Sequence, residues 1–306
     1  MNFKFKDSLG KEINVYKWVP EEGIEIRGVV QIAHGMTETA QRYEYFAKKL
    51  NEDGYIVYAN DHRGHGYTAI DKDELGYIGE GDGFSLMVEN IKELNTIIRD
   101  ENEDLKIILL GHSMGSFLSQ RYAELYSDTI DALILSGSNG KPMWITKIGM
   151  IIAKAEMKLR GEKARSKIMD MLSFGDFNKK FTPSRTKFDW MCSDEEEIEK
   201  YINDDRCGFI CSTSFYHYLI KGLWTIHKEE NFKMIRKDIP IYIFSGDKDP
   251  VGYFGTGVLD LYDRYKGIGI KNIEHKIYED GRHEMLNEVN KDEVIYNLKV
   301  WLDKTV

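Results

Sequence analysis

The stretch "LKIILLGHSMGSFLSQRYAELY", residues 105–126, sets a lone serine between two glycines, where an apolar run stops and a helical pattern starts. The run "KIILLG" is of strand length and rich in branched apolar residues, as a strand buried on both faces requires. Behind it, apolar residues recur at spacings of three and four, which gives a helix one buried stripe. Gly111-His112-Ser113-Met114-Gly115 thus fits G-x-S-x-G in the strand–turn–helix setting that gives the pattern its meaning. Side chains at the glycines would collide with the neighbouring strand and helix, and the serine has to sit at a strained backbone position. The helix that follows aims its free N–H groups and positive dipole end at that serine. A plain tight turn is the competing explanation; the setting favours a presented nucleophile, Ser113.

Working outward, "VVQIAH" (29–34), "YIVYAN" (55–60) and "DALILSG" (131–137) read as further buried strands, separated by the helical "RYEYFAKKLNEDG" and "FSLMVENIKELNTIIRD". Such alternation implies right-handed βαβ units and a parallel sheet covered on both faces. Ahead of them "FKFKDS" and "INVYKW" look like an antiparallel hairpin. From Asn139 to about Arg236 the rhythm breaks, with no clear strand and three helical segments: "MWITKIGMIIAKAEMKL", "KARSKIMDMLSF" and "TSFYHYLIKGLWTIHK". It resumes with "IPIYIFSG", the helical "GTGVLDLYDRYKGIG", the strand-like "NIEHKIYE" and a last helix "KDEVIYNLKVWLDK". The expected fold is α/β, a mostly parallel sheet with helices on both faces. Residues 1–138 and 237–306 would form the core, and residues 139–236 a helical insertion.

Bulk properties narrow the function. With 306 residues the chain can bury a large core, and 42 basic against 51 acidic side chains leave a formal charge of −9. That balance, with basic residues scattered, argues against a nucleic-acid partner. The opening "MNFKFKDSLGKEINVYKW" lacks the apolar core of a secretory signal, and runs such as "IGMIIA" fall far short of the ~18 residues a membrane span needs. Three cysteines (Cys192, Cys207, Cys211) without a CxxC suggest neither a disulfide framework nor a zinc site. A cytoplasmic location is the expectation.

A serine hydroxyl needs a base to take its proton, and the base needs a third group to hold its tautomer. In strand–elbow–helix hydrolases the chain order is serine, acid, histidine. "YIFSGDKDPVG" supplies the acid just past one strand and "KIYEDGRHEMLNE" the histidine just past the next, at the sheet edge where Ser113 sits. Two acids compete: Asp247 follows Gly246 directly and fits a turn cap, whereas Asp249 stands further out and is preferred. Of eight histidines, only His283 combines the right order with a loop position. His62 and His65 in "DHRGHG" raise the question of a metal, but no further ligands flank them at defined spacing. Two preorganised N–H donors should complete an oxyanion hole. Met114, directly after the serine, is one, and Met36, just past His34-Gly35, is the other. Their side chains are then free to line a pocket.

In "HGMTETAQRYEYFAKKLNEDGYIVYANDHRGHG", "GHSMGS", "GDKDPVG" and "GRHEMLNE" the chain resembles the α/β-hydrolase fold. Within that fold it is similar to the monoacylglycerol lipase and lysophospholipase-like branch, grouped with the serine aminopeptidases. The insertion is similar to that of bacterial members through "FNKKFTPSRTKFDW" and "DDRCGF". The resemblance implies Ser113, Asp249 and His283 as a triad, Met36 and Met114 as oxyanion donors, and esterase activity without a cofactor or metal. It also leads to Asp61 and Arg63 of "DHRGHG" being read as structural.

The insertion is expected to cap the site. His34, Gly35 and His112, with Trp144, Phe215 and Trp224 of the insertion, are the substrate-contact candidates. Met150, Met157, Phe174, Trp190 and Phe209 are further pocket or cap-core residues. An apolar cap helix fringed by lysines could touch a lipid surface transiently. "SDEEEIEK" reads as a solvated helix start with Ser193 as its cap. The expected reaction is cleavage of a carboxylic ester with an apolar acyl group: a monoacylglycerol, a lysophospholipid or a small ester. Two alternatives stay open. One is an aminopeptidase using cap acids such as Asp204 and Asp205 to receive an ammonium group; the other is a ligand-binding protein of the same fold that does not turn over.

Overall fold

Along "GVVQIA" and "IILLGH" every residue is buried, and successive side chains serve opposite faces of one sheet. Val29, Ile107 and Leu109 enter one apolar cluster, while Val30, Ile32, Ile108 and Leu110 enter another. That is the pattern of a central strand with helices above and below.

The computed structural model describes residues 2–140 and 142–305. Its strands are β1 (Asn2–Lys6), β2 (Glu12–Trp18), β3 (Gly28–Ala33), β4 (Tyr55–Asn60), β5 (Ile107–His112), β6 (Ala132–Ser136), β7 (Ile241–Gly246) and β8 (Ile273–Tyr278). They join in the order β1-β2-β4-β3-β5-β6-β7-β8. β1 and β2 are antiparallel, β2 runs antiparallel to β4, and the remaining pairings are parallel. The sequence predicts both the hairpin and the parallel array.

The helices are α1 (Glu44–Asn51), α2 (Gly83–Glu101), α3 (Met114–Tyr126), α4 (Thr146–Arg160), α5 (Lys167–Phe174), α6 (Glu195–Asn203), α7 (Thr213–Ile226), α8 (Glu229–Phe232), α9 (Thr256–Gly267) and α10 (Lys291–Thr305). Residues of α2, α3, α7 and α9 join the first cluster, and those of α1 and α10 the second. Five α-helices, α4 to α8, lie between β6 and β7 among the described residues. Among the described residues that segment adds no strand to the sheet, only an isolated bridge between Arg165 and Ser212.

Two helix starts differ from expectation. The helix expected from Lys163 begins at Lys167, because Ser166 caps it through Met169 N–H at 3.1 Å. Arg165 is instead held extended, its guanidinium donating to the carbonyl of Asp73 at 2.7 Å. Asp194, not Ser193, caps α6, accepting from Glu196 N–H and Glu197 N–H at 3.0 and 3.3 Å. A carboxylate suits the positive helix end, and the Ser193 hydroxyl is already given to Glu288.

Candidate active site

The turn between β5 and α3 leaves no room at its glycines. A Cβ on Gly115 would fall onto the Ala33 carbonyl, and one on Gly111 onto the Gly115 carbonyl and the Ser119 hydroxyl. Ser113 between them has φ 52° and ψ −120°, a conformation that costs a residue with a side chain about 1–3 kcal/mol. Hydrogen bonds hold it there: Ser113 N–H donates to Ser136 O at 2.9 Å, and its own carbonyl accepts from Ser116 N–H at 2.9 Å. The turn therefore places the Ser113 side chain outside the helix it precedes, at the carboxyl edge of the sheet.

Past β7, Asp249 is fully buried; past β8, His283 is 2% exposed. His283 Nδ1 lies 2.9 Å from Asp249 Oδ1. Ser245 Oγ–H donates to Asp249 Oδ2 at 2.6 Å and Val251 N–H to Oδ1 at 2.8 Å. Burial works against the imidazolium, but the Asp249 charge and hydrogen bond, with Glu284 and Glu38, together raise the His283 pKa above its ordinary value. Burial would likewise raise Asp249, and His283 with the other donors reverses this and lowers it. The two shifts agree: each group stabilises the other's charge. Asp247 takes no part, and its Oδ1 is buried without a partner among the described residues, so the expected cap is not formed through that oxygen. Beside His283 lies the ring of His112, 4.7 Å away between centroids. Burial and then His283 push His112 down to about 4, so it stays neutral.

The loop after β3 lies against the same turn. A Cβ on Gly35 would come within 3.3 Å of Ser113 Cβ. Among the described residues the backbone N–H groups of Met36 and Met114 have no acceptor. Glu38 pins this loop, its Oε1 accepting from Gly35 N–H at 2.5 Å and from Tyr43 OH at 2.9 Å. Arg42 then joins Glu38 Oε2 at 2.6 Å to both oxygens of Glu284, at 2.8 and 2.6 Å. Burial opposes the Glu284 charge, but Arg42 overrides it and brings that carboxyl down to about 2.

A cavity of about 310 Å³ opens here, and Gly35, Met36, His112, Ser113 and His283 all reach it. Its apolar walls come mainly from the segment between β6 and β7: Met171, Phe174, Phe188, Trp190, Met191 and Phe209. Several expected pocket residues lie elsewhere. Trp144 is 72% exposed, Trp224 bonds Thr146 through its indole N–H at 2.9 Å, and Phe215 is packed in the core against His65. Met114 and His34 are likewise buried and do not line the cavity. Met150 and Met157 do not reach it either, and Asp204 and Asp205 are outside it, Asp205 paired with Lys72 at the surface.

Sequence reasoning missed Glu38, Arg42, Glu284 and Tyr201, which lines the cavity and donates its hydroxyl to the Thr37 carbonyl at 3.0 Å. The i,i+4 spacing of Glu38 and Arg42 was the available signal, but nothing local to either points to Glu284. The "DHRGHG" turn is structural in its contacts. Asp61 accepts from Ala40 N–H at 2.9 Å and Tyr67 N–H at 2.8 Å, and Arg63 Nε donates to Asp7 at 2.9 Å. Among the described residues no cluster of His, Cys, Asp and Glu is arranged to hold a metal ion, and no helix is long and apolar enough to cross a membrane.

This geometry has relatives. A sequence model of the serine aminopeptidase S33 family matches residues 24–290. The chain is 37% identical over 289 residues to a monoacylglycerol lipase of Mycolicibacterium smegmatis, covering 93% of this chain and 90% of that one. It superposes on a highly thermostable carboxyl esterase from Bacillus coagulans, in complex with glycerol, with TM-score 0.92 and 27% identity over 100% and 98% of the two chains. A soluble variant of the Saccharomyces cerevisiae monoglyceride lipase shares the fold at TM-score 0.77 and 21% identity, over 99% and 95% of the chains. The sheet order, the strained serine turn and these likenesses agree: the chain belongs to the serine aminopeptidase S33 family of α/β-hydrolases, in its monoacylglycerol lipase-like branch.

Proposed function

We propose that the protein is a serine hydrolase that cleaves carboxylic esters with an apolar acyl group, monoacylglycerols foremost, through an acyl-enzyme. The observation that carries this is the strained Ser113 opening into the same cavity as the Asp249–His283 pair. Ser113 Oγ attacks the ester carbonyl while His283 Nε2 takes its proton. Asp249 keeps the proton of the ring on Nδ1 and favours the imidazolium. The tetrahedral oxyanion is received by the N–H groups of Met36 and Met114. His283 then protonates the leaving alcohol, and a water deprotonated by the same ring releases the acid and restores Ser113.

Residues 139–236 act as a cap over this site, which fits their supplying most of the apolar wall. The outer face of α4 supports contact of that cap with a lipid surface. Ile148 and Ile151 are exposed there, with Trp144 just ahead, beside Lys147, Lys154 and Lys158. Release of N-terminal residues, the activity in the family's name, fits less well. Of the three carboxylates that line the cavity, Glu38 and Glu284 are already bound by Arg42, and Asp170 accepts from Tyr216 OH at 3.2 Å.

The test is turnover of monoacylglycerols and p-nitrophenyl esters from acetate to palmitate, with Ser113→Ala as control and fluorophosphonate labelling of Ser113. Turnover and labelling lost together in the variant support the reading. A wild type that cleaves aminoacyl amides but no ester would replace it.

A further inference from the structure

Trp190 lies with its ring centroid 5.1 Å from that of His283, the planes 35° apart. It is the one contact to the His283 ring that comes from the segment between β6 and β7 among the ring contacts of the described residues. The indole does not float. Its own backbone N–H donates to Asn178 Oδ1 at 2.9 Å, and Phe177 and Phe174 pack on it at 4.9 and 5.9 Å. The chain on either side of Trp190 is bonded to the chain on either side of His283. Arg282 Nη1 donates to the carbonyls of Asp189 and, at 3.0 Å, Cys192, while Glu284 N–H donates to Met191 O at 2.7 Å. Glu288 reinforces the junction, accepting from Ser193 N–H and Arg282 N–H, each at 3.0 Å.

We propose that Trp190 is a positioning residue for the base: its indole fixes the orientation of the His283 ring and favours the imidazolium formed as Ser113 gives up its proton. An indole face is the best aromatic partner for a cation, and the separation is within the ~6 Å over which that attraction acts. The other groups facing the ring are Asp249 from the loop after β7, Glu284 beside it, Glu38 from the loop after β3, and neutral His112 at the end of β5. The carboxylates act through charge; the indole adds attraction without a charge and keeps water off the ring. Since Trp190 also lines the cavity with Phe174, an acyl group lying on it would meet the base through a single side chain. The inference rests on His283 as the base of the proposed reaction.

The experiment titrates the His283 imidazole by NMR and the pH dependence of kcat/KM in Trp190→Leu and Trp190→Phe. Leucine keeps apolar bulk but lacks a π face; phenylalanine keeps a weaker one. In Trp190→Leu both inflections should move down by about 0.5 to 1 pH unit, with kcat for p-nitrophenyl acetate reduced and KM little changed, and Trp190→Phe should recover most of the shift. An inflection that stays put or moves up in Trp190→Leu overturns the proposal, since the indole would then only exclude water. The NMR titration needs no turnover. His283→Gln with undiminished turnover would overturn the base reading and this proposal together, whereas inactive His283→Gln with an unmoved titration overturns the proposal alone. If Trp190→Leu does not fold, wild-type emission decides. Imidazolium quenches a neighbouring indole, so tryptophan fluorescence should fall through the His283 inflection and not do so in His283→Gln; a flat wild-type signal overturns the contact.

Discussion

Arg42 and Glu284 stand 242 positions apart in the chain, yet both oxygens of the carboxylate are held by one guanidinium at 2.8 and 2.6 Å. Since Arg42 also grips Glu38, one side chain ties the loop bearing Met36 to the loop bearing His283. The stacking of Arg42 over Tyr201, 4.9 Å from its ring centroid, extends the tie to α6. Arg42→Met would leave two buried carboxylates without a counter-charge, which should cost about 3–5 kcal/mol. Chemical denaturation measures this, and Arg42→Lys, unable to bind both oxygens, should fall in between. Unchanged stability in Arg42→Met would show the network to be dispensable.

Asp249→Asn keeps the shape of the acid but removes its charge and inverts the tautomer it favours. The proposed triad predicts that turnover of an ester drops by roughly 10³- to 10⁴-fold, the range for replacing the acid of a Ser-His-Asp triad. In the proposed reaction His283 must be neutral to act, so kcat/KM should fall on the acid side, with its inflection above the ordinary histidine value of 6.5 because His283 is raised. In the variant that inflection should move down, because the raising charge is gone. A pH profile of kcat/KM on both proteins checks the pair.

Behind the β3 loop His34, His62 and His65 form a cluster with ring centroids 4.2 and 5.2 Å from His34, all fully buried. Burial pushes His34 and His65 down to about 3 and holds His62 well below its ordinary value too. The unfolded chain binds these protons near 6.5 and the folded chain does not. Their contribution to stability is therefore complete above 6.5 and declines as pH falls below it, by up to about 1.4 kcal/mol per pH unit for each ring. Thermal melts between pH 8 and 5 should show this loss. His62→Leu, which replaces a ring with no hydrogen-bond partner among the described residues, should flatten the curve.

Gly115→Ala adds one methyl group where the Ala33 carbonyl already stands. Neither β3 nor α3 can yield without disturbing the sheet, so the variant should lose about 3 kcal/mol or more, the range of severe core strain. Its melting temperature and soluble yield report this directly. A variant as stable as the wild type would mean that the turn relaxes.

The cap-surface reading predicts a salt-sensitive association. Replacing Trp144, Ile148 and Ile151 together by serine should weaken binding to anionic phospholipid vesicles about tenfold or more, with turnover of a water-soluble acetate ester unchanged. Vesicle sedimentation at low and high salt checks it. Equal binding by both proteins would remove α4 from the interaction.

Much of this protein could be read from its sequence because the deciding signals are local. A buried strand, a turn that excludes Cβ atoms and an amphipathic helix lie within residues 105–126, and neighbouring residues alone dictate them. The positions of Asp249 and His283 are local too, each just past a strand whose apolar run ends visibly, and the fold brings the pair to 2.9 Å. Pocket walls are another matter. Trp144, Phe215 and Trp224 have the composition of pocket residues, but their side chains went to solvent, to the core and to Thr146. Which face of a helix between β6 and β7 meets the cavity depends on how that helix packs, and apolarity cannot distinguish a pocket from a core. The Arg42 network and the seating of Trp190 on His283 join segments far apart in the chain. Such contacts exist only once the sheet has brought its strand ends together, so tertiary structure alone decided them.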